Sequence, residues 1–236
     1  MAGLRLSWRE EAKKKVAWKA VELVKDGWIV GLGSGSTAAY AIFFLGKRVK
    51  EEKLDVLVVP TSYQSFFLAV KEKIPVTSLD EHPKLNLTID GADEVDKNLN
   101  MIKGGGAALT REKIVGFASE KYVIIIDETK LVDKLGLNMP IPVEVLPFAT
   151  SVVINKLKET WKNVKIREGK GKVGPIITDN GNFIVDVYCG GIENPEKVNN
   201  KIRSIPGVVE TGLFIKMADL VYVGKKDGKI EVLTKT

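Results

Sequence analysis

Cysteine and histidine are nearly missing from this sequence: Cys189 and His82 are the single examples of each among 236 residues. One cysteine cannot close an internal disulfide, which suits a reducing compartment, and Cys189 reads as a small core residue. Without a Cys/His cluster the usual zinc sites are excluded. Long apolar runs are missing as well. Stretches such as Ala41–Leu45 and Val123–Ile126 fall far short of the ~20 residues of a membrane-spanning helix, so no membrane partner is expected. The opening MAGLRLSWREEAKKK has no apolar core of the kind a secretory leader carries, and the expected location is cytoplasmic. There are no repeats, low-complexity segments or tails of disordered composition.

What is present is ordinary for a globular protein with a proper core: 44% hydrophobic and 28% charged residues. The net charge of +6 points either to nucleic acid or to anionic small molecules. The positive charge is spread along the chain. Its densest run, Lys13-Lys14-Lys15, reads as a solvated helix face, and no basic patch interleaved with aromatics appears. No nucleic-acid partner is expected, and anionic metabolites fit better.

Periodicity organises the chain. Ser7 with Glu10 has capping-box spacing, and Ala12, Val16, Ala20, Leu23 and Val24 follow at helical intervals up to Gly27. A pattern then repeats in which a short apolar strand ends in small or polar residues. Trp28–Leu32 leads into 33–37, Asp55–Val59 into 60–62, Leu85–Ile89 into 90–94, and Tyr122–Ile126 into 127–130. Helical stretches at Thr37–Phe44, Tyr63–Lys73 and Ala107–Ser119 lie between. Alternating strands and helices predict an α/β, Rossmann-like parallel sheet with helices on both faces. Ligands bind such sheets beyond the carboxyl ends of the strands, so the four polar clusters are expected to converge.

After about residue 132 the pattern changes to strand Val143–Leu146, helix Ser151–Trp161, strand Val164–Arg167, strand Phe183–Tyr188, a helix from Asn194-Pro195, and strand Val208–Phe214. This is the order of a smaller ferredoxin-like α+β domain. A terminal hairpin, Leu220–Val223 with Ile230–Thr234, returns to the first sheet. The expected division is 1–132 with 213–236 as the Rossmann-like catalytic domain, and 133–212 as the ferredoxin-like domain.

Two clusters carry chemistry. Gly31-Leu32-Gly33-Ser34-Gly35-Ser36-Thr37 joins a strand to a helix; its glycines allow close backbone approach, and the helix N-terminus and hydroxyls offer donors to a phosphate. A tight structural turn would use the same residues. The loop is not G-x-G-x-x-G, because Ser36 replaces the third glycine, and the second strand ends in Pro60-Thr61-Ser62 rather than an acid. No dinucleotide cofactor is expected, and the loop is not a P-loop either. The second cluster is Asp90 and Asp93 at a strand end, then Lys103, Gly104-Gly105-Gly106 and Glu112. Such groups suit acid–base work on a sugar, with the lysine steadying a developing oxyanion. Two plainer readings compete: Glu112-Lys113 as a helix surface pair, and Asp90 with Asp93 as a magnesium site. His82 precedes the third strand, so a proton shuttle at the strand ends has to be a carboxylate, and Glu112 is the candidate.

The stretches 31–37, Asp90-Gly91-Ala92-Asp93-Glu94, 103–113, Asp127-Glu128-Thr129-Lys130, Pro142-Val143-Glu144-Val145, 178–182 and 206–214 together resemble the A-type ribose-5-phosphate isomerases, in order and over nearly the whole chain. The resemblance implies a Rossmann-like domain interrupted by a ferredoxin-like one. It implies cofactor-free conversion of ribose 5-phosphate to ribulose 5-phosphate through an enediol; metal independence is expected from the missing ligand clusters. By matching positions it gives Glu112 as general base, Asp90 as the aid to ring opening, and Asp93 with Lys103 as support for the reacting oxygens. Ser34, Gly35, Ser36, Thr37, Gly91, Ala92, the three glycines and Lys130 complete the substrate-binding set, and Lys13 is offered to the phosphate. Ser34 stands where the family often has threonine, and Thr129 where it often has serine; each keeps a hydroxyl. A homodimer or homotetramer built on the ferredoxin-like domain is also implied. Rival readings of the same fold are a hexosamine-phosphate deaminase, which needs an active-site histidine, a CoA transferase with a nucleophilic glutamate, and a sugar-phosphate sensor without turnover.

Overall fold

The computed structural model describes residues 7–235; the first six residues and the last one lie outside this range. Ser7 caps the first helix, α1 (Trp8–Val21), by accepting from the Glu10 amide. The chain continues through β1 (Ile29–Leu32), α2 (Ser36–Glu52), β2 (Leu57–Pro60), α3 (Tyr63–Lys71) and β3 (Leu87–Asp90). Two very short strands follow, β4 (Glu94–Val95) and β5 (Met101–Ile102), then α4 (Leu109–Phe117) and β6 (Tyr122–Asp127). Beyond them lie β7 (Ile141–Val145), α5 (Thr150–Lys158), β8 (Asn163–Ile166), β9 (Phe183–Tyr188), α6 (Pro195–Arg203), β10 (Val208–Thr211), β11 (Leu213–Phe214), β12 (Leu220–Gly224) and β13 (Ile230–Thr234). No helix among the described residues is long and apolar enough to cross a membrane.

Two compact units result. One takes the chain up to Gly91, Ile114–Lys130 and the residues from Met217 onward; the other takes Ala92–Lys113 and Leu131–Lys216. The first is a six-stranded sheet ordered β13-β12-β6-β3-β1-β2, parallel except for the edge strand β13. Alternation along β1 decides what each face holds. Val30 and Leu32 point into a core with Val16, Ala20, Ile42 and Leu45 from α1 and α2. On the other face Gly31 has no room for a Cβ, which would collide with Thr88 and Val115. Val59, Leu85 and Val115 form a smaller apolar cluster, with Ile29 packed against it. The chain leaves β1 for β2 on one side and returns to β3 on the other. The topological switch point, where such sheets bind ligands, therefore falls between β1 and β3.

The second unit holds an antiparallel sheet ordered β10-β7-β9-β8, the ferredoxin-like arrangement. Its core joins Ile141, Val143, Val145, Val185 and Val187 to Val153 and Leu157 of α5 and Ile202 of α6.

The division differs from the expected 1–132/213–236 and 133–212. Residues 92–113 go with the second unit because β4 and β5 form a three-stranded sheet with β11, and Val95 bridges to Leu131. Two-residue strands are too short to show a period of two. The expected strand Val208–Phe214 is in fact two strands in two sheets, broken at Gly212, where a Cβ would strike the Lys103 carbonyl.

Candidate active site

In the first unit the four polar clusters stand at the carboxyl ends of β1, β2, β3 and β6, all in one sheet. Three of them are hydrogen-bonded together. Ser34 Oγ lies 2.9 Å from Thr61 Oγ1 and donates to Ser62 Oγ at 2.6 Å, while the Ser34 amide donates to Asp90 Oδ1 at 3.1 Å. Ser34 is expected to face a ligand; in the structure its hydroxyl also seats the loop on the end of β2. Gly35, at φ +96°, is the N-cap of α2, with no side chain capping it, and its amide donates to Gln64 Oε1 at 2.8 Å. Ser36 is exposed and Thr37 half-buried at the start of the 17-residue helix, whose terminal amides and dipole favour an anion.

Asp90 is fully buried at the tip of β3. Besides Ser34, its carboxylate accepts from the Gly91 amide at 2.7 Å and from Tyr122 Oη at 3.2 Å. Gly33 is needed for this: any Cβ there would collide with the Asp90 carboxylate. Lys130 ends the 3₁₀ turn Glu128–Lys130 after β6 and is half-buried. Lys13 pairs with Glu10 at 2.7 Å, and Glu10 also accepts from Tyr40 Oη. His82 lies in the segment between α3 and β3, before the strand rather than after it.

The second unit holds the other residues of the set. Ala92 and Asp93 are half-buried, and Asp93 Oδ2 accepts from the Gly105 amide at 2.7 Å. Lys103 donates its amide to Gly212 and stands 2% exposed. Its ammonium is 3.3 Å from Glu112 Oε2, the carboxylate being 5% exposed by residue. Glu112 is therefore not one end of a helix surface pair: its partner is Lys103, nine positions back, and the compensating charge is what makes burying the carboxylate tolerable. Gly104 is at φ +105°, where glycine is strongly favoured, and a Cβ on Gly105 would come within 2.8 Å of the Asp93 carboxylate. Gly106 has room for a Cβ.

Lys113, next to Glu112, turns the other way. It donates to Glu210 Oε1 at 2.9 Å and to the carbonyls of Thr211 and Leu213, with its ammonium 4.8 Å from the Phe214 ring centre. Burial pushes it down to about 8 from an ordinary 10.5, against the pull of Glu210. The sign of the consequence follows from linkage. Between about pH 8 and 10.5 the unfolded chain holds a proton that the folded one has released, so stability is gained as pH rises. At about 1.4 kcal/mol per unit the gain is up to about 3 kcal/mol. Urea unfolding at both ends of this window, compared with Lys113→Met, should show the wild type gaining about that much relative to the variant. A constant difference would mean that Lys113 keeps its ordinary proton affinity.

Several residues around the site were passed over in the sequence. Thr61 and Ser62 are visible as a polar strand end, but their role as a seat for Ser34 is not. Gln64 and Tyr122 carry no local signal. Glu144, fully buried on β7, accepts from Thr178 Oγ1, Asn180 Nδ2 and Asn182 Nδ2, and from Thr110 of α4. That gathers two of the recognised sequence stretches around the turn before Glu112.

Solved structures share this fold over nearly their full length. Ribose 5-phosphate isomerase A from Methanocaldococcus jannaschii matches with a TM-score of 0.91 and 48% identity, covering 96% of this chain and 99% of that one. A D-ribose-5-phosphate isomerase in complex with phospho-erythronic acid matches at 0.92 and 43%, with the same coverage. Fold and relatives define an α/β isomerase. The relatives narrow it further. Ribose-5-phosphate isomerase A of Methanothermobacter thermautotrophicus is 51% identical over 216 residues, 92% of this chain and 95% of its own, and that of Methanococcus aeolicus is 51% identical over 218. The family model of ribose 5-phosphate isomerase A (phosphoriboisomerase A) matches residues 57–228, and the chain belongs to that family.

Proposed function

We propose that this protein interconverts D-ribose 5-phosphate and D-ribulose 5-phosphate through an enediol, using its own side chains alone. The observation that carries the reading is the buried Lys103–Glu112 pair beside a glycine turn, in a chain of this family. The start of α2, with Ser36 and Thr37, takes the phosphate, and Lys130 contributes to substrate binding. Asp90, held by three donors, accepts the proton of the anomeric hydroxyl as the C1–O4 bond breaks; the O1–H electron pair becomes the C1 carbonyl, and Asp90 returns the proton to O4. Glu112 then removes the C2 proton of the open aldose. The C–H electron pair becomes the C1=C2 bond, and the carbonyl electrons move to O1. Asp93 with Lys103 supports the two oxygens, the developing charge lying against the ammonium. The O2 proton passes to O1, the O2–H electron pair re-forms a carbonyl at C2, and the C1=C2 pair takes the proton held by Glu112 at C1. A related isomerase was solved with phospho-erythronic acid; a carboxylate has the planar two-oxygen shape of an enediolate, which supports this reading.

The reading includes a cytosolic location and a homodimer or homotetramer. Support for the assembly comes from Phe148 at 101% exposure, flanked in sequence by exposed Leu146 and Val152, apolar groups that a partner subunit would cover. The deciding experiment is incubation with ribose 5-phosphate in excess chelator while ketose formation is followed. Turnover should persist. Activity lost on chelation and restored by magnesium would transfer the case to an Asp90/Asp93 metal site. Saturable binding of ribose 5-phosphate without turnover would favour the sensor.

A further inference from the structure

The Gly104-Gly105-Gly106 turn is held from outside by a residue that belongs to none of the recognised stretches. Arg167 follows β8, and its Nη1 donates to the carbonyls of both Gly104, at 2.7 Å, and Gly105, at 3.1 Å. The guanidinium is itself fixed from β9: Nε donates to Asp186 Oδ2 at 2.8 Å, and Nη2 donates to Asp186 Oδ1. Arginine and aspartate side chains are 15% and 11% exposed.

In a trans peptide the C=O and the following N–H point to opposite sides. Drawing the Gly104 carbonyl onto Arg167 therefore turns the Gly105 N–H away from it, and that N–H meets Asp93 Oδ2 at 2.7 Å. Drawing the Gly105 carbonyl onto the same nitrogen turns the Gly106 N–H away as well. We infer that Arg167 is a positioning residue: it locks two successive peptide planes so that the Gly105 and Gly106 amides face away from Arg167, the Gly105 amide onto the Asp93 carboxylate. Through the Gly105 amide the lock reaches Asp93, the carboxylate proposed to support the reacting oxygens. Three consecutive glycines have the largest backbone freedom to lose, so the turn needs a restraint that its own sequence cannot supply. A lysine could not replace the arginine, because a single ammonium lacks the planar fork that grips Asp186 and two carbonyls together.

This inference rests on the proposed isomerase reading for its kinetic arm only. In Arg167→Ala, kcat for ribose 5-phosphate should fall about 10²-fold, the cost of misplacing groups by an ångström, with KM little changed. Arg167→Lys, which keeps the charge and protects folding, should fall similarly. Methylguanidinium in solution should restore part of kcat to Arg167→Ala and none to Glu112→Gln, whose turn is intact. Independently of any substrate, the Gly105 and Gly106 amides of the labelled protein should exchange with heavy water faster in both arginine variants. Unchanged exchange at both glycines, or kcat within about twofold of wild type, overturns the inference. Because exchange needs no turnover, it decides the positioning claim even if ribose 5-phosphate proves not to be the substrate.

Discussion

Glu112→Gln should lower kcat for ribose 5-phosphate by roughly 10²–10⁴-fold, the usual contribution of a positioned base, with KM close to wild type. The substitution keeps the size and polarity of a residue that is 5% exposed, and it leaves the start of α2 untouched. Loss of turnover without loss of binding is what removal of a group acting on the reacting proton predicts. Exchange of the C2 proton with heavy water should disappear together with turnover, since both require the same abstraction. A variant that keeps more than about a tenth of wild-type activity, far above what loss of a base leaves, would make Glu112 structural and move the proton shuttle to another residue.

Lys103→Met should be the most destabilising single change in the site, by about 3–5 kcal/mol, because it leaves a buried carboxylate without its compensating charge. The pair is 3.3 Å apart with side chains 3% and 6% exposed, so solvent does little screening. The same change removes the cation proposed to face the developing oxyanion, and kcat should fall with stability. Adding Glu112→Gln to Lys103→Met removes the orphaned charge and should recover much of the lost unfolding free energy, with no recovery of activity. A double-mutant cycle by urea unfolding measures this coupling. Additive effects would mean that the two groups do not interact energetically.

The fold was largely legible because its signals are local. Four strand ends marked by small and polar residues, and helical spacing between them, lead to a parallel sheet, and the sheet order β13-β12-β6-β3-β1-β2 agrees. The order of elements after residue 132 likewise led to the ferredoxin-like sheet. What was not legible depended on partners distant in the chain. Two-residue strands at Glu94–Val95 and Met101–Ile102 exist only because β11 pairs with β5 and β5 with β4, and that pairing moves 92–113 into the second unit. The expected helix Thr37–Phe44 continues to Glu52, because Leu45 is buried in the core with α1 and the sheet. Lys13 was offered to the phosphate on resemblance alone; its pairing with Glu10, three positions back on the same helix, is a contact that the run of three lysines does not announce.

By itself the sequence determined which chemical groups are available and in what local setting. It places glycines and hydroxyls at a helix start, carboxylates at a strand end, a lysine before a triple glycine, and no histidine among them. Those are matters of residue type and short spacing, where propensity and periodicity act. Tertiary structure alone decided which of these groups meet. Ser34 seats on Thr61 and Ser62, Asp90 receives Tyr122, Glu112 pairs with Lys103 rather than lying beside Lys113 on a surface, and Arg167 grips the glycine carbonyls. The physical reason is that a buried charge or a flexible turn is tolerated only when a partner satisfies it. For Arg167 and the glycine turn that partner lies some sixty positions away, beyond the reach of any local pattern.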